Sequence, residues 1–304
     1  MSSLNIDTWK NKGIVNRIND ISNNTNLSMD TKPVTCKIEV SGTCNLDCRF
    51  CNHSNLKDRF KLMSLKDFEE VINFVHKNYP SITDIGLFLM GEPGLNRELP
   101  EMYKMVKNID RNYFTFLTTN GLFIKYITKS LQFVDSLKVS WNYKNEKDFE
   151  EKTDTSIDAY YDIQRNIKRL YKLCKEYNTS FSISTVIDEK NDKKEDYYKS
   201  MEGFEYDYHY FLPLQTQGGY VKNAKGGCVG NDSRYESNPI PCYCLFKGLY
   251  IDVNKNIRIC PFGNEEHHII GNIYNGIDMN YYNKIKEQHL YGSIPKQCEK
   301  CLNS

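Results

Sequence analysis

Residues 41–51 read Ser-Gly-Thr-Cys-Asn-Leu-Asp-Cys-Arg-Phe-Cys, which gives Cys44, Cys48 and Cys51 the spacing CxxxCxxC. Residues 36–40 alternate like a short strand, so the three cysteines are expected on one loop after that strand. Thiolates are preferred protein ligands of iron–sulfur clusters. Three thiolates can hold three irons of a cubane and leave the fourth iron open to an outside ligand. A zinc site or three incidental thiols is the alternative that the spacing leaves open.

Outward from this loop, apolar patterns of strand length and helix length alternate. Strands are predicted at residues 36–40, 85–90, 113–117, 136–139, 181–186 and 208–212, and helices at residues 65–79, 98–108, 123–131, 157–177 and 192–201. Strands that alternate with helices imply a parallel sheet. Six units without obvious closure predict an α/β fold, a partial (β/α)6 barrel with its chemistry at the carboxyl ends of the strands.

The pattern divides the chain into three parts. Residues 1–32 are predicted to form an N-terminal arm with a short helix near residues 14–21, and residues 33–215 to form the partial barrel. Residues 216–304 begin with a Gly-rich linker and continue as a small Cys-rich α+β domain. That domain is predicted to contain a hairpin at residues 249–253 and 257–259 and a helix at residues 281–289. A domain this small usually needs a metal or another cross-link.

Composition excludes several classes of protein. The chain has 304 residues, 39% of them hydrophobic, and a formal net charge of +1, which predicts a folded core and no nucleic-acid partner. No apolar run reaches about 18 residues and no signal peptide is visible, so we expect no membrane partner and a cytoplasmic location. In a reducing compartment the eleven cysteines are expected to bind metal or do chemistry rather than form disulfides.

The cysteine loop after the first strand, with the aromatic Phe50 directly before Cys51, resembles the radical SAM superfamily. The resemblance implies that Cys44, Cys48 and Cys51 hold a 4Fe–4S cluster. It also implies that the open iron binds the amino and carboxylate groups of S-adenosylmethionine (SAM), and that Phe50 lies near the adenine.

A second motif follows the second predicted strand. Gly91, Glu92 and Pro93 resemble the GGE-type motif of this family, with Met90 in place of the first glycine. The resemblance implies that Glu92 and the nearby backbone accept hydrogen bonds from the ammonium group of SAM. An ordinary loop with a proline turn is the alternative.

The third and fourth predicted strands end in further polar residues. Asn120 lies in a Thr-Asn-Gly sequence that is common in the family at this place, although it is also a good turn sequence. Ser140 and Asn142 end the fourth strand, where the family often places polar contacts to the ribose and carboxylate of SAM.

The C-terminal region resembles the SPASM and twitch extensions of radical SAM enzymes. The aligned pattern implies an auxiliary 4Fe–4S cluster with four ligands, Cys242, Cys260, Cys298 and Cys301. Cys244 falls at a position that is usually not a ligand. A full SPASM domain has further cysteines after the last pair, so the resemblance is to the shorter twitch version. A structural zinc site is the alternative, since four cysteines satisfy it too.

Two smaller expectations concern the same region. The hairpin turn carries Lys255 where the family usually has glycine, so Asn254 or Asn256 is expected to adopt the left-handed conformation. His267 and His268 lie in a polar stretch and are expected to be exposed.

The resemblance implies an oxidoreductase that receives an electron from a donor such as flavodoxin or ferredoxin. It would cleave SAM reductively to a 5′-deoxyadenosyl radical, which abstracts hydrogen from a substrate carbon. Four cysteines would ligate every iron of the auxiliary cluster and leave none open to substrate. This favours electron transfer by the cluster, and hence dehydrogenation or bond formation. The substrate is expected to be a small molecule such as a sugar or aminocyclitol, or a peptide; the short N-terminal arm favours a small molecule.

Two other functions stay open. An epimerase would use Cys228, on a Gly-flanked loop, as hydrogen-atom donor. A metal-binding protein without turnover is the second alternative. Candidate proton acceptors at strand ends are Asp188, Glu189 and Tyr143.

Overall fold

Strands and helices alternate through the first two thirds of the protein, as the apolar periodicity predicts. The computed structural model describes residues 27–56, 59–188, 190–221, 241–263 and 265–302. The first six strands are β1 (Thr35–Ile38), β2 (Asp84–Gly86), β3 (Phe114–Thr119), β4 (Ser136–Ser140), β5 (Ser180–Ile187) and β6 (Tyr208–Pro213). The helices in this part are α1 (Leu65–Asn78), α2 (Leu99–Ile109), α3 (Lys125–Ser130), α4 (Glu146–Thr153), α5 (Ile157–Glu176) and α6 (Lys194–Ser200).

The C-terminal region adds shorter elements. They are the helix α7 (Tyr243–Lys247), the strands β7 (Gly248–Ile251), β8 (Asn256–Arg258), β9 (Ile269–Asn272) and β10 (Gly276–Ile277), and the helices α8 (Met279–Leu290) and α9 (Glu299–Leu302). The predicted hairpin corresponds to β7 and β8, and the predicted helix corresponds to α8. No helix within the described ranges is long and apolar enough to cross a membrane.

All these strands belong to one sheet with the order β10-β9-β8-β7-β1-β2-β3-β4-β5-β6. Strands β1 to β6 are parallel and adjacent in chain order. This confirms the predicted α/β fold with a parallel core. β7 pairs in parallel with the free side of β1, and β8 to β10 continue antiparallel from it. The C-terminal region therefore extends the same sheet.

The two faces of the parallel sheet differ in exposure. Side chains on one face, including Leu117 and Val139, are fully buried against the helices. Neighbours along the strands point the other way, and some of them are partly exposed; we call this second side the open face and define it by Lys37, Phe88, Thr118, Lys138 and Ser140. Phe116 and Ser182 on the same side are buried. Solvent thus reaches parts of the sheet on the side away from the helices.

Some local predictions differ from the structure. β2 ends at Gly86, although strand character was predicted up to residue 90, because residues 87–95 form an irregular loop with a short 3-10 turn. The helix α4 was not predicted, since the sequence of Glu146–Thr153 is highly charged and buries only Phe149 and Thr153. The helix predicted near residues 14–21 lies outside the described residues.

The turn between β7 and β8 corrects a second prediction. Lys255 itself has a φ of 66°, and neither adjacent asparagine has a positive φ. The Lys255 ammonium contacts the carboxylates of Asp67 and Glu70 at 2.6 and 3.1 Å. We infer that these ion pairs to α1 hold a lysine in a conformation that glycine adopts more easily.

Candidate functional site

The loop that carries Cys44, Cys48 and Cys51 begins directly after β1 and is folded by its own backbone. The N–H of Cys51 donates to the carbonyl of Cys48 at 2.9 Å. The buried His53 places its Nε2 at 2.8 Å from the carbonyl oxygen of Gly42, closing the loop on itself. The three predicted ligands are thereby brought together.

The thiols of this loop share one partly buried environment. Burial, together with the Glu92 carboxylate, raises the pKa of the Cys44 thiol to about 12. Burial also raises the pKa of Cys48 and Cys51, and the other two thiols add to the effect at Cys48. Without a metal these groups are therefore neutral thiols, and they would ionise on binding a metal that compensates their charge.

These sulfur donors fit an iron–sulfur cubane. A cubane binds each cysteine through a different iron, whereas the ligands of a single ion converge on one atom. Three thiols on one loop are the donor set that leaves one iron of a cubane open.

Tyr143 lies against this group of thiols. Its side chain is 1% exposed, and its hydroxyl forms a hydrogen bond with Cys48 that lowers the pKa of that thiol. Burial raises the pKa of Tyr143 well above its usual value, and the thiols of Cys48 and Cys44 raise it further. Tyr143 is therefore placed as a hydrogen-bond donor to the Cys48 sulfur, which does not suit the role of proton acceptor.

Of the other candidate proton acceptors, Asp188 forms hydrogen bonds within its own turn. Its carboxylate accepts from the backbone N–H of Lys190 at 3.1 Å and from the side chain of Asn191 at 2.7 Å. Glu189 lies outside the described residues.

Gly91 lets the loop after β2 lie directly on the cysteine loop. A Cβ at this position would stand 2.1 Å from the carbonyl oxygen of Ser41, a distance that no other residue tolerates. The next residue, Glu92, donates its N–H to the carbonyl of Thr43 at 2.8 Å. Pro93 then starts a short 3-10 turn. The motif thus packs against the cysteine loop through backbone contacts that require glycine.

Glu92 joins the loop after β2 to the end of β3. Its Oε1 accepts from the Thr119 hydroxyl at 2.7 Å and from the Gly94 N–H at 2.9 Å, and its Oε2 accepts from the Asn120 N–H at 2.7 Å. Burial raises the pKa of Glu92 to about 7 in spite of these three donors. The predicted contact with the SAM ammonium would come in addition to them, because a carboxylate has about four acceptor positions.

Asn120 faces the cysteine loop. Its side-chain nitrogen donates to Asn45 Oδ1 at 2.8 Å and lies 3.8 Å from Cys44 Sγ. Its Oδ1 accepts from the Leu122 N–H at 2.9 Å, which fixes the orientation of the amide. The side chain therefore positions the segment around Cys44.

The two predicted residues after β4 have different surroundings. Ser140 is partly exposed on the open face. Asn142 is 6% exposed, and its Oδ1 accepts from the Val186 N–H at 2.7 Å. Asn142 thus ties the end of β4 to β5, while Ser140 is accessible to a ligand.

Gln217 is a residue that the sequence analysis missed. Its Nε2 donates to the carbonyl of Phe50 at 2.8 Å, and its Oε1 accepts from the Asn52 N–H at 2.9 Å. Gln217 thereby fastens the cysteine loop to the segment after β6. No sequence signal could have found it, since it lies at the start of a Gly-rich stretch read as a linker.

The four C-terminal cysteines predicted as ligands line one cavity. Cys242 precedes α7 and Cys260 follows β8. Cys298 directly precedes α9, and Cys301 lies within it. Burial raises the pKa of Cys298 to about 12, with further effects of Cys242 and Cys301, and it raises the pKa of Cys260 well above its usual value. The structure therefore brings together four sulfur donors separated by up to 59 positions of sequence (301 minus 242).

Several of these sulfurs also receive hydrogen bonds. The Phe262 N–H donates to Cys260 Sγ at 3.4 Å, and the buried Thr216 hydroxyl donates to Cys301 Sγ at 3.2 Å. N–H and O–H donors stabilise negative charge on cluster sulfurs and so influence the reduction potential of a bound cluster.

His289 supplies another of these donors. Its Nδ1 accepts from the backbone N–H of Cys242 at 3.3 Å, and its Nε2 lies 3.5 Å from Cys298 Sγ. Burial lowers the pKa of His289 to about 4, so the ring is neutral at pH 7. Because Nδ1 is the acceptor, the single proton is on Nε2 and points at the sulfur.

Two further predictions about this region are wrong. His268 is 5% exposed, and its Nε2 lies 3.1 Å from the carbonyl of Gln297, so it lines the same cavity; His267 is exposed and pairs with Glu265, as expected. Cys244 is disulfide-bonded, contrary to the expectation that the cysteines avoid disulfides. Cys228, the candidate hydrogen-atom donor, lies outside the described residues.

Comparison with known proteins identifies the family. Residues 38–201 match the model of the radical SAM superfamily. The FeMo cofactor biosynthesis protein NifB of Methanocaldococcus jannaschii is 28% identical over 102 residues, which are 31% of this chain and 34% of NifB. The "Probable GTP 3′,8-cyclase" of Methanococcus aeolicus is 30% identical over 99 residues, 32% of each protein. The chain thus spans about a third of the length of these curated relatives.

Solved structures resemble this fold over most of its length. Native anSMEcpe with bound AdoMet has a TM-score of 0.60 at 16% identity, covering 88% of this chain and 87% of that one. BtrN in complex with AdoMet and 2-DOIA has a TM-score of 0.56 at 14% identity, covering 86% and 89%. SuiB of Streptococcus suis bound to precursor peptide SuiA has a TM-score of 0.52 at 15% identity, covering 93% and 73%. At such identities the likeness shows a common fold.

Since the family model spans more than half of the chain, the protein belongs to the radical SAM superfamily. Membership implies a 4Fe–4S cluster and SAM as cofactors, and a reaction that begins with cleavage of SAM.

Proposed function

We propose that the protein is a radical SAM oxidoreductase that removes hydrogen from a substrate carbon and passes an electron to an auxiliary 4Fe–4S cluster. The net reaction is a dehydrogenation or the formation of a new bond. The proposed substrate is a small molecule such as a sugar or aminocyclitol, or a peptide. Flavodoxin or ferredoxin is the proposed electron donor, in the cytoplasm.

The first part of the proposal concerns the loop after β1. When bound there, a 4Fe–4S cluster and SAM supply a 5′-deoxyadenosyl radical. Cys44, Cys48 and Cys51 are the proposed ligands, and Phe50 is proposed to lie near the adenine. The buried Tyr143 hydroxyl and the Asn120 amide hold the ligand sulfurs in place.

The polar groups that we propose for SAM itself follow β2, β3 and β4 in the chain. Gly91, Glu92 and Pro93 are proposed to present backbone and carboxylate acceptors to the ammonium group. Asn120, Ser140 and Asn142 are proposed to contact the rest of the cofactor, and the accessible hydroxyl of Ser140 suits this role best.

The observation that carries the oxidative part of the proposal is the set of four cysteines around one cavity. Cys242, Cys260, Cys298 and Cys301 would occupy every iron of a cubane and leave none for substrate. Electron transfer is the function that a fully ligated cluster can still perform. Hydrogen bonds from Thr216, Phe262 and His289 to three of the sulfurs support a redox role, because such donors influence the potential.

The test is SAM cleavage under reducing, oxygen-free conditions. Reconstituted protein is mixed with SAM and dithionite, and 5′-deoxyadenosine is measured by liquid chromatography. We expect formation of 5′-deoxyadenosine by the wild type and its loss in Cys48→Ala. The matched control Cys174→Ala, which changes a buried cysteine of α5, should retain it. Product formation that is equal in Cys48→Ala and wild type would contradict the proposal.

A further inference from the structure

Two lysines lie on the open face of the sheet. Lys37 is on β1 and Lys138 is on β4, and each is partly exposed between fully buried neighbours. Lys37 is in register with Gly86, which is in register with Phe116; two residues further along β3, Thr118 is in register with Lys138. The two lysines therefore occupy adjacent rows of the same face, with β2 and β3 between their strands.

Neither lysine has a polar partner within the described ranges. Lys37 Nζ lies 5.4 Å from the ring centre of Phe88, and no hydrogen bond or ion pair of either ammonium group is present among the described residues. Other sheltered lysines of this protein do have carboxylate partners. Lys107 lies 2.6 Å from Asp135, and Lys152 lies 2.9 Å from Asp148.

The acidic residue next along the open side of β1 does not pair with these lysines. The Glu39 carboxylate is 5% exposed and lies 3.4 Å from the backbone nitrogens of both Met90 and Val253. Its charged neighbours are Asp252 and Arg258, which pair with each other at 2.6 Å. The positive charge of Lys37 and Lys138 is thus left without a carboxylate.

Two unused hydroxyls flank Lys138. Thr118 and Ser182 are its register partners on β3 and β5. Within the part of the chain that the structure describes, their hydroxyl oxygens are buried without a hydrogen-bond partner, and Ser182 is 0% exposed. Buried polar atoms are normally satisfied, so each of these hydroxyls is available to a bound group or a water.

The energetics favour an anion at this place. Burial lowers the pKa of both lysines to about 8. The Cys260 thiolate partly opposes this at Lys37, while at Lys138 the charge of Lys37 lowers the pKa further. Two like charges in sheltered surroundings oppose folding unless a negative group offsets them. Oxygens of one anion can accept hydrogen bonds from both ammonium groups and from the neighbouring hydroxyls.

We propose that Lys37 and Lys138, with the hydroxyls of Thr118 and Ser182, bind an anionic group of the substrate, a phosphate or a carboxylate. The inference rests on the proposed function and narrows its substrate class: a negatively charged small molecule fits, and a cationic aminocyclitol does not. Because Lys138 lies two residues before Ser140, an anion held here leaves the rest of the substrate directed towards the strand ends and the cysteine loop.

The experiment measures binding of two simple anions to the reconstituted holoenzyme with SAM present. Inorganic phosphate and malonate are titrated separately by isothermal calorimetry, without oxygen. The variants are Lys37→Met and Lys138→Met, which keep an unbranched side chain but remove the charge, and Lys138→Arg, which restores it. Lys147→Met is the matched control, because Lys147 is 84% exposed on α4.

We expect saturable binding of at least one anion to the wild type and to Lys147→Met, with affinity reduced about tenfold or more in both other methionine variants. Lys138→Arg should recover part of it. The anion that binds more tightly shows whether the anionic group of the substrate is a phosphate or a carboxylate. Binding that is absent from the wild type, or equal in all variants, overturns the inference.

SAM affinity, measured on the same samples, separates substrate from cofactor. It should be unchanged in Lys37→Met and Lys138→Met; a loss of SAM affinity would mean that the lysines bind the cofactor carboxylate, and the inference would be wrong. If the methionine variants do not fold, acetylation of the wild type followed by mass spectrometry replaces them. Phosphate or malonate should then protect Lys37 and Lys138 but leave Lys147 reactive, and equal reactivity overturns the inference.

The same wild-type preparation is assayed for 5′-deoxyadenosine. Anion binding without 5′-deoxyadenosine would contradict the proposed function and leave the anion site standing. 5′-Deoxyadenosine without anion binding would contradict only the anion site.

Discussion

Nε2 of His289 lies 3.5 Å from Sγ of Cys298, while Nδ1 of the same ring accepts the backbone N–H of Cys242. A neutral histidine thus connects two of the four cysteines in the C-terminal cavity. The contact fixes which ring nitrogen carries the proton, and it leads to the first prediction.

Replacing His289 with leucine should make the reduction potential of the auxiliary cluster more negative. The variant loses an N–H donor to Cys298 Sγ, and such donors favour the reduced, more negative cluster. The potential is measured by a redox titration followed by electron paramagnetic resonance, in a background where Cys44, Cys48 and Cys51 are alanine. His267→Leu is the control, since His267 is exposed and pairs with Glu265. Equal potentials in the two histidine variants would disprove the prediction.

Metal content should report two separate clusters. Reconstituted wild type is expected to contain about eight irons per chain, and the variant without Cys44, Cys48 and Cys51 about four. Elemental analysis of iron, sulfide and zinc measures both. About four irons with one zinc in the wild type, and no iron in the variant, would instead make the C-terminal site a structural zinc site and remove the electron acceptor from the proposed reaction.

Substitutions at Lys255 should separate the effect of backbone strain on stability from the effect of ion pairing. Both Lys255→Ala and Lys255→Gly lose the contacts with Asp67 and Glu70, but only glycine relaxes the φ of 66°. The glycine variant is therefore expected to be more stable than the alanine variant by about 1 kcal/mol in urea unfolding. Equal stability would show that the turn changes its conformation when the lysine is lost.

Glu92 should contribute a pH dependence to the stability of the apo-protein. Burial raises its pKa from 4.5 to about 7 in the folded state, so between these values the folded protein binds more protons than the unfolded one. Stability therefore falls as the pH rises through this window, and the contribution of Glu92 is constant above about pH 7.

The variant Glu92→Gln tests this contribution. It should lose that part of the pH dependence, gaining about 2 kcal/mol on the wild type between pH 5 and pH 7 in urea unfolding. Glu98→Gln is the control, because the Glu98 carboxylate accepts from the Leu65 N–H at some distance from the cysteine loop. A difference in stability between wild type and Glu92→Gln that does not change with pH would contradict the raised pKa of Glu92.

The sequence predicted the parallel α/β core because its signals are local. Apolar residues alternate along β5, and the helical spacing of Phe68, Val71 and Val75 follows the buried face of α1. The cysteine spacing and the motif at Gly91 also lie within short stretches. Each of these features depends on neighbours only a few residues away.

The wrong and missing predictions depend on distant contacts. Lys255 adopts a positive φ while paired with carboxylates of α1, more than 180 residues earlier. His268 is buried where Gln297 approaches it, and Gln217 acts through Phe50. The pairing of β7 with β1 left no local pattern, since β7 alone is an ordinary hairpin strand.

That pairing has a consequence for how the chain acquires its structure. Thr35 of β1 is in register with Gly248 of β7, a separation of 213 residues (248 minus 35). Such a distant pairing closes slowly, and during synthesis β1 leaves the ribosome long before its second neighbour exists. Until then β1 is an exposed edge that can pair with other chains. Pairing of β7 with β1 thus removes this exposed edge at a late stage of folding.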